Sequence, residues 1–340
     1  MLYGLIFVVL LSFIFIKLII AHAHKLNLTD VPNERSAHRR TVPLGAGIGF
    51  ITAMMVGVAM YNINIFMQYW YVFVSIVIVL LVGILDDMYD ADPKTKIYAI
   101  FAAVVLLWWK GISINTLGVY FGYDASLGWF ALPFTMFALV AFTNALNLID
   151  GIDGLAGTIS LVIISSFGYI GYEYSNTLMM TLSAFTLASL LSFMILNYPP
   201  AKIFMGDSGS LSLGFIIALL AILSIEYIHP IGILYLAALP ILDTLIVTIR
   251  RARRGVSILN PDKTHIHHLL LRYIGDKDEE GHIINGNKRT VWVLVVFQLL
   301  FAVMGLMMSE YANAVPILAL VGFAIIFILT YMIFTKIEKI

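Results

Sequence analysis

The sequence predicts an all-α polytopic membrane protein, and three observations support that fold class. Apolar residues make up 61% and charged residues 12% of the 340 residues, against about 45–50% and about 25% in a soluble domain. The mean hydropathy is +0.96, so a soluble fold would expose larger apolar patches than soluble proteins carry. Eleven apolar segments approach the length of about 20 residues that a membrane-crossing helix needs. We therefore expect a single integral-membrane domain over residues 1–340.

The predicted spans follow one another along the whole chain. They cover about residues 3–21, 44–62, 69–85, 97–110, 127–146, 158–172, 177–197, 210–228, 231–249, 291–309 and 315–334. The first is not expected to be a cleavable signal peptide, because it lacks a basic leader and a small-residue cleavage site. An odd number of spans puts the two termini on opposite sides of the membrane.

The basic residues predict the orientation, because Lys and Arg accumulate in cytoplasmic loops. Eighteen of the twenty fall in alternate loops on one side; Lys110 lies opposite, and Lys17 lies within the first span. We therefore expect the N-terminus outside, the C-terminus in the cytoplasm and the active site on the cytoplasmic face. The polar loops of that face are about residues 22–43, 86–96, 144–157, 198–209 and 250–290.

Several classes of protein are disfavoured. A formal net charge of +0 argues against a nucleic-acid partner, and the absence of cysteine excludes thiolate metal sites and a cysteine nucleophile. A transporter stays a distant alternative, since transporters place polar residues near the midplane of repeated halves. Here the polar residues gather at one interface, and no internal repeat is evident.

Two polar motifs precede the middle of the chain. Asp86 and Asp87 end the third predicted span, and Lys96 follows ten positions after Asp86. Carboxylates near a lysine suit phosphates handled with a divalent metal, although a solvated helix end explains the Asp pair alone equally well. Arg35 and His38 lie in the polar loop before the second span.

A second polar stretch combines amides, carboxylates and glycines. Asn144, Asn147 and Asp150 recur every three positions, so on a helix they share one face. Asp153 and Gly154 follow in an Asp-Gly step that lets backbone approach a ligand closely. An ordinary cytoplasmic turn does not require this spacing, so the stretch indicates a functional site.

A third motif surrounds Asp207, between Gly206 and Ser210. A hard oxygen ligand beside small residues at a helix N-terminus suits a metal and a phosphate, while simple helix capping is the alternative. Asp243 lies about two turns inside the ninth span. An ionisable residue at that depth is functional or paired, so we assign it a supporting role.

The last motif is His265, His267 and His268, followed by Arg272, in the longest inner loop. A zinc site is one interpretation, but the spacing differs from that of zinc-protease helices. Imidazoles beside basic residues fit a multiply anionic substrate better.

In this order, the motifs resemble those of one family: Pro32–Ser36 with His38, Asp86–Asp87, Asn144–Gly157, Met205–Ser210 and His265–His268. The chain resembles the polyprenyl-phosphate N-acetylhexosamine-1-phosphate transferases along nearly its whole length. The His-Ile-His-His form is similar to the WecA-like branch, whereas the peptidoglycan branch (MraY) carries three consecutive histidines.

The resemblance implies roles for individual residues. Asp207 and Asn147 match ligands of Mg²⁺, for which Mn²⁺ can substitute. Asp86 and Asp87 match a catalytic pair beside the lipid phosphate, and Lys96 a catalytic basic residue near the phosphates. The residues implied in substrate binding are Asn144, Asp150, Asp153 (near the uracil), Gly154, Arg35, His38, His265, His267, His268 and Arg272.

The implied reaction moves N-acetylglucosamine 1-phosphate from a UDP-sugar to undecaprenyl phosphate and releases UMP. It would be the first membrane step of O-antigen or another surface polysaccharide, in the bacterial cytoplasmic (inner) membrane. GalNAc, FucNAc and phospho-MurNAc-pentapeptide donors stay open. So do a one-step and an aspartyl-phosphate mechanism, and a monomer or a homodimer.

Overall fold

A computed structural model describes residues 2–32, 41–255, 265–277, 283–284, 286–311 and 316–337. Helices dominate these residues. They are α1 (Leu2–His22), α2 (Ala46–Tyr61), α3 (Ile63–Gln68), α4 (Trp70–Tyr89), α5 (Pro93–Trp109), α6 (Ala131–Ile149), α7 (Leu155–Glu173), α8 (Thr177–Asn197), α9 (Gly206–Ser224), α10 (Pro230–Leu236), α11 (Ala238–Arg254), α12 (Ile266–Ile274), α13 (Gly286–Tyr311) and α14 (Pro316–Ile337).

The strands form three two-stranded sheets within the same residues. They pair β1 (Thr29–Asp30) with β2 (Val42–Pro43), β3 (Thr116–Tyr120) with β4 (Tyr123–Ser126), and β5 (Asp276–Lys277) with β6 (Ile283–Ile284). Each sheet consists of two strands of two to five residues, so helices build the core of the described residues. The prediction of an all-α fold class is confirmed to that extent.

Membrane-crossing length separates the helices into two groups. Among the described residues, seven are long and apolar enough to cross a bilayer: α1, α4, α6, α7, α8, α9 and α13. The α10–α11 pair, bent by 86°, would be an eighth. Helix α2 and the apolar part of α14 are shorter. The chain is therefore a multi-pass helical protein. Each of the eleven predicted segments coincides with a helix or with the bent pair, but only seven or eight of the described helices are long and apolar enough to cross a membrane, so the predicted number of eleven spans is not confirmed.

Helix α9 is the central helix of the first of two compact units, Met1–Thr116 with Ser126–Tyr227. Its apolar stretch is 83% buried, and it packs against α2, α4, α6 and α7. Small residues make this close packing feasible: a Cβ added at Gly83 of α4 would overlap the backbone of Ser208. The end of α4 therefore lies directly against the beginning of α9.

The second unit comprises Leu117–Ala125 and Ile228–Ile340 and contains the bent pair. A break between α10 and α11 frees backbone groups that a hydrocarbon environment cannot satisfy. Gln298 of α13 satisfies two of them: its amide nitrogen donates to the Leu236 carbonyl (2.7 Å) and its oxygen accepts from the Leu239 N–H (3.1 Å). Gln298 thereby stabilises the break that precedes Asp243.

Candidate active site

The site in the first unit is organised around the N-terminus of α9. Asp87, in the last turn of α4, accepts the backbone N–H groups of Asp207 (2.6 Å) and Ser208 (3.1 Å), one on each carboxylate oxygen. Gly206 adopts a φ of +73°, and a Cβ there would overlap the Asp87 carboxylate. A negative charge at a helix N-terminus is favourable because the first N–H groups have no partner within the helix. Asp87 therefore fixes the position of Asp207.

The side chain of Asp207 then contacts two other helices. Lys96 of α5 donates to Asp207 Oδ2 (2.5 Å), and the amide nitrogen of Asn147 of α6 donates to Asp207 Oδ1 (2.9 Å). The same amide nitrogen also donates to Ser210 Oγ (2.8 Å), one turn further along α9. Residues from three separate motifs thus meet at one carboxylate.

Lys96 lies between two carboxylates. Its Nζ is 2.8 Å from Asp86 Oδ2 as well as 2.5 Å from Asp207 Oδ2. The turn between α4 and α5 explains this position: Asp92 caps α5 by accepting the Lys94 N–H (2.9 Å), and Pro93 occupies the first helical position. Lys96 is then one turn into α5 and reaches back to the end of α4.

The adjacent aspartates Asp86 and Asp87 at the end of α4 therefore differ in their contacts. Both oxygens of Asp87 accept backbone N–H groups, whereas Asp86 forms an ion pair through Oδ2 and has its buried Oδ1 without a hydrogen-bond partner in the described part of the chain. Successive helix residues point about 100° apart, so one faces α9 and the other faces Lys96. A buried carboxylate oxygen without a partner is rare and indicates a position for a proton donor or a cation.

The donor set is compatible with a hard divalent cation. Asp207 and the orphaned Asp86 Oδ1 are carboxylate oxygens, and Mg²⁺ commonly needs only one or two of these, with water and substrate phosphates completing its shell. No group of three or more His, Asp or Glu side chains arranged for a metal occurs among the described residues. Asn147 turns its nitrogen to Asp207, so it would have to rotate its amide to offer an oxygen.

The Asp-Gly stretch after α6 lies against a neighbouring loop. Asp153 Oδ2 accepts the Ala201 N–H (3.0 Å), and the Gly154 N–H donates to Asn197 Oδ1 (2.9 Å). The Asn197 amide nitrogen donates in turn to the Ile203 carbonyl (2.9 Å). This arrangement fixes the loop that leads into α9. Nothing in the sequence distinguished Asn197 from other polar helix ends.

Among the described residues, Asn144 and Asp150, the two other predicted residues at the end of α6, do not form hydrogen bonds with that loop. Asn144 donates to the Val140 carbonyl of its own helix (3.1 Å), so its amide nitrogen does not join the Asp207 contacts. Desolvation raises the pKa of the Asp150 carboxyl well above its usual value of 3.8, and the charges of Asp207, Asp87 and Asp153 raise it further. Asp150 therefore lies close enough to the Asp207 site to sense its charge.

The histidine motif lies in the second unit at the start of α12. His265 Nδ1 lies 2.8 Å from Asp243 Oδ2, and the Ile266 N–H donates to Asp243 Oδ1 (2.7 Å). The rings of His265 and His267 stack at 5.8 Å, and those of His267 and His268 are 4.2 Å apart. Sequence reasoning gave Asp243 a supporting role but did not identify its partner, because twenty-two residues separate it from His265.

The remaining predicted binding residues divide into two groups. Arg272 lies on α12, where its Nε donates to the His268 carbonyl (3.4 Å). Arg35 and His38 lie outside the described residues.

Burial lowers the pKa of the His267 imidazole well below its usual value, and the charges of His268 and His265 lower it further. Neither ring nitrogen of His267 has a hydrogen-bond partner in the described ranges.

Comparison with known proteins gives one consistent result. The profile of glycosyl transferase family 4 matches residues 69–225, which include Asp86, Asp87, Lys96, Asn147 and Asp207. The chain is 33% identical over 259 residues to the probable undecaprenyl-phosphate N-acetylglucosaminyl 1-phosphate transferase of Bacillus subtilis, covering 74% of this chain and 72% of that one.

Two further relatives carry a matching name. The undecaprenyl-phosphate alpha-N-acetylglucosaminyl 1-phosphate transferase of Salmonella typhi is 32% identical over 281 residues, 79% of this chain and 76% of its own. The protein of that name from Haemophilus influenzae is 33% identical over 262 residues, 74% and 73% of the two chains.

Proposed function

Because this chain belongs to glycosyl transferase family 4, we propose that it transfers N-acetylglucosamine 1-phosphate from its UDP-linked form to undecaprenyl phosphate. The products are undecaprenyl diphospho-N-acetylglucosamine and UMP. The donor and acceptor are those in the names of its relatives, and the geometry around Lys96 supports phosphoryl chemistry.

The observation that carries the proposal is the position of Lys96 between Asp86 and Asp207. Both substrates are anions, so their encounter is repulsive unless the site supplies positive charge. An ammonium group held by two carboxylates is kept at a fixed position without an excess of charge in the free enzyme. When phosphates arrive, Lys96 can donate to their oxygens and stabilise charge on the departing UMP.

The reaction balances as one displacement. An oxygen of the lipid phosphate forms a bond to the sugar-bearing phosphorus, and the bond from that phosphorus to the oxygen bridging to UMP breaks. The second pKa of a phosphomonoester is about 6, so the acceptor is largely dianionic near pH 7 and needs no strong base. Asp86, whose Oδ1 is unpartnered among the described residues, takes a residual proton or orients the acceptor.

The contacts of Asp87 argue against an aspartyl-phosphate intermediate on that residue, which favours the one-step route. Both of its oxygens accept backbone N–H groups of α9, so a nucleophilic attack would break the cap of that helix. Wild-type protein incubated without lipid, with a UDP-sugar that carries ³²P on the sugar-bearing phosphorus, is expected to retain no label after denaturation. Stoichiometric protein labelling would contradict the one-step route.

We also propose that Asp207 and Asn147 hold Mg²⁺, with Asn147 rotating its amide when the ion binds. Bound there, the ion supplies Lewis-acid stabilisation of the diphosphate. Removal of divalent ions with EDTA should abolish UMP release, and Mg²⁺ or Mn²⁺ should restore it; activity that persists in EDTA would contradict the proposal. We assign donor binding to Asn144, Asp150, Asp153 and Gly154, together with the motif His265–Arg272.

Eleven spans, an outer N-terminus, a cytoplasmic C-terminus and residence in the bacterial inner membrane belong to the same proposal, as does a role in O-antigen or related surface polysaccharide synthesis. The absence of native cysteine permits a direct test of sidedness. In intact cells, an impermeant maleimide should label D124C but not K94C. Labelling of K94C but not of D124C would contradict the proposed orientation and indicate the opposite one.

The activity itself is tested with purified protein, undecaprenyl phosphate, Mg²⁺ and a panel of UDP-amino sugars. We expect UMP and a lipid-linked sugar in equal amounts, with UDP-GlcNAc as the preferred donor. Product only with UDP-GalNAc or another amino sugar would change the substrate. No UMP with any donor would refute the proposed reaction.

A further inference from the structure

Asp243 is a buried carboxylate that the proposed chemistry does not use. It lies in α11, its side chain is 1% exposed, and both of its oxygens are engaged by residues at the start of α12. A carboxylate in so dry an environment is costly unless it is well paired. Its partners therefore indicate what it holds in place.

One oxygen holds the backbone. The Ile266 N–H, the first of α12, donates to Asp243 Oδ1, whereas His265 at the N-cap position makes no capping bond with its own side chain. Asp243 thereby supplies the cap from a different helix. The nine-residue helix that carries His267, His268 and Arg272 is anchored through this contact.

The other oxygen holds the ring of His265. An ionised carboxylate can only accept hydrogen bonds, so a neutral His265 must carry its proton on Nδ1 and leave Nε2 as an acceptor. The stacked ring of His267 restricts rotation of His265 from one side. His267 itself is 1% exposed, and neither of its ring nitrogens has a hydrogen-bond partner in the described part of the chain. Buried polar atoms without a partner indicate a position where a ligand can form hydrogen bonds.

We propose that Asp243 is a positioning residue for donor binding: it holds His265 with Nε2 free to accept a hydrogen bond from a hydroxyl or imide N–H of the nucleotide sugar. This inference rests on the proposed function, because it takes the nucleotide sugar as the ligand. It assigns His265 to a hydrogen-bond donor group of the substrate rather than to a phosphate oxygen.

The substitution Asp243→Asn separates positioning from capping. The Asn oxygen can still accept the Ile266 N–H, but its NH₂ group would donate to His265 Nδ1 and move the ring proton to Nε2. We expect an unchanged Tm and a KM for UDP-GlcNAc about tenfold higher, as for the loss of one hydrogen bond of about 1.4 kcal/mol. The kcat should stay within about twofold.

Asp92→Asn is the matched control, because Asp92 also caps a helix with a side-chain oxygen, which Asn retains. Asp92 is exposed and contacts no histidine among the described residues. Its KM should equal that of wild type. If Asp243→Asn has a wild-type KM, or loses kcat and Tm together, a purely structural role replaces the positioning role.

Nitrogen-15 NMR of histidine-labelled protein gives a readout that does not depend on activity. The His265 signals are identified by their loss in His265→Gln. The wild-type spectrum should show the proton on Nδ1, and Asp243→Asn should show it on Nε2. A wild-type proton on Nε2 would overturn the proposal. Inactive wild-type protein with the expected spectrum would instead refute the proposed function and leave the positioning by Asp243 intact.

Discussion

The aspartate cluster of the first unit and the histidine cluster of the second are built in the same way. In each, a carboxylate on one helix accepts the first N–H groups of another helix: Asp87 caps α9 and Asp243 caps α12. A chemically useful side chain then stands at or beside the capped position, Asp207 in one and His265 in the other.

The two caps differ in what else they hold. Both oxygens of Asp87 accept backbone N–H groups, so Asp87 fixes only the position of the first turn of α9, which carries Asp207. Asp243 uses one oxygen on backbone and one on an imidazole, so it also selects which ring nitrogen carries the proton. The same residue type therefore fixes backbone position in the first cluster and sets the protonation pattern of a side chain in the second.

The largest effect is expected from removing the charge between the two carboxylates. Lys96→Met leaves Asp86 and Asp207 facing each other, and we expect kcat to fall by about 100-fold to 1,000-fold. UMP release at saturating substrates is the measurement. Lys94→Met is the control, since Lys94 is exposed two positions earlier. Equal activity of the two variants would remove Lys96 from the chemistry.

A smaller effect separates the adjacent aspartates. Asp87→Asn places an NH₂ group against a backbone N–H of α9, which costs about 1–3 kcal/mol of folding free energy. We expect its Tm to fall by several degrees and its kcat by about tenfold, because Asp207 shifts. Asp86→Asn should lower kcat with little change in Tm. Identical unfolding curves for the two variants would contradict the different roles.

The contrast between these aspartates shows where sequence reasoning stops. The sequence predicted the helical membrane fold and the motifs that meet at Asp207, because apolar length and polar spacing are local properties. It treated Asp86 and Asp87 as one pair, because their difference depends on which neighbouring helix each faces. The amide contacts of Asn197 and Gln298 likewise depend on packing between distant segments.

The hydrogen bonds around Asn147 should give an intermediate result. Asn147→Ala removes donors to Asp207 and Ser210, whereas Ser210→Ala removes one acceptor. We expect losses in activity of about tenfold and about threefold, and a double variant no worse than Asn147→Ala alone. A double-mutant cycle on UMP release measures this coupling. Strictly multiplicative losses would mean that the two side chains act independently.

The smallest effect concerns stability and not turnover. Burial and the charges of His268 and His265 lower the pKa of His267. Below the ordinary His pKa, the imidazole of His267 therefore binds a proton more readily in the unfolded chain than in the folded one. Stability should therefore be retained above the ordinary His value of 6.5 and be lost as the pH falls below it. Thermal unfolding between pH 7.5 and 5.5 should be less pH-dependent in His267→Gln than in wild type.

His24→Gln is the control for that series, because His24 is exposed on the short turn after α1. Its pH dependence should match that of wild type. An equal pH dependence in His267→Gln and wild type would contradict the assignment of the effect to His267.

The role of Asp207 in the reaction is measured by the yield of lipid-linked sugar and UMP from undecaprenyl phosphate and UDP-GlcNAc. Asp207→Asn is compared with wild type and with Asp124→Asn of the β3–β4 hairpin. Asp207 is the carboxylate on which Lys96, Asn147 and α9 converge. Wild type and Asp124→Asn should each form the two products in equal amounts, whereas Asp207→Asn should form them at less than about 1% of the wild-type rate. A rate for Asp207→Asn within twofold of wild type would contradict this role of Asp207.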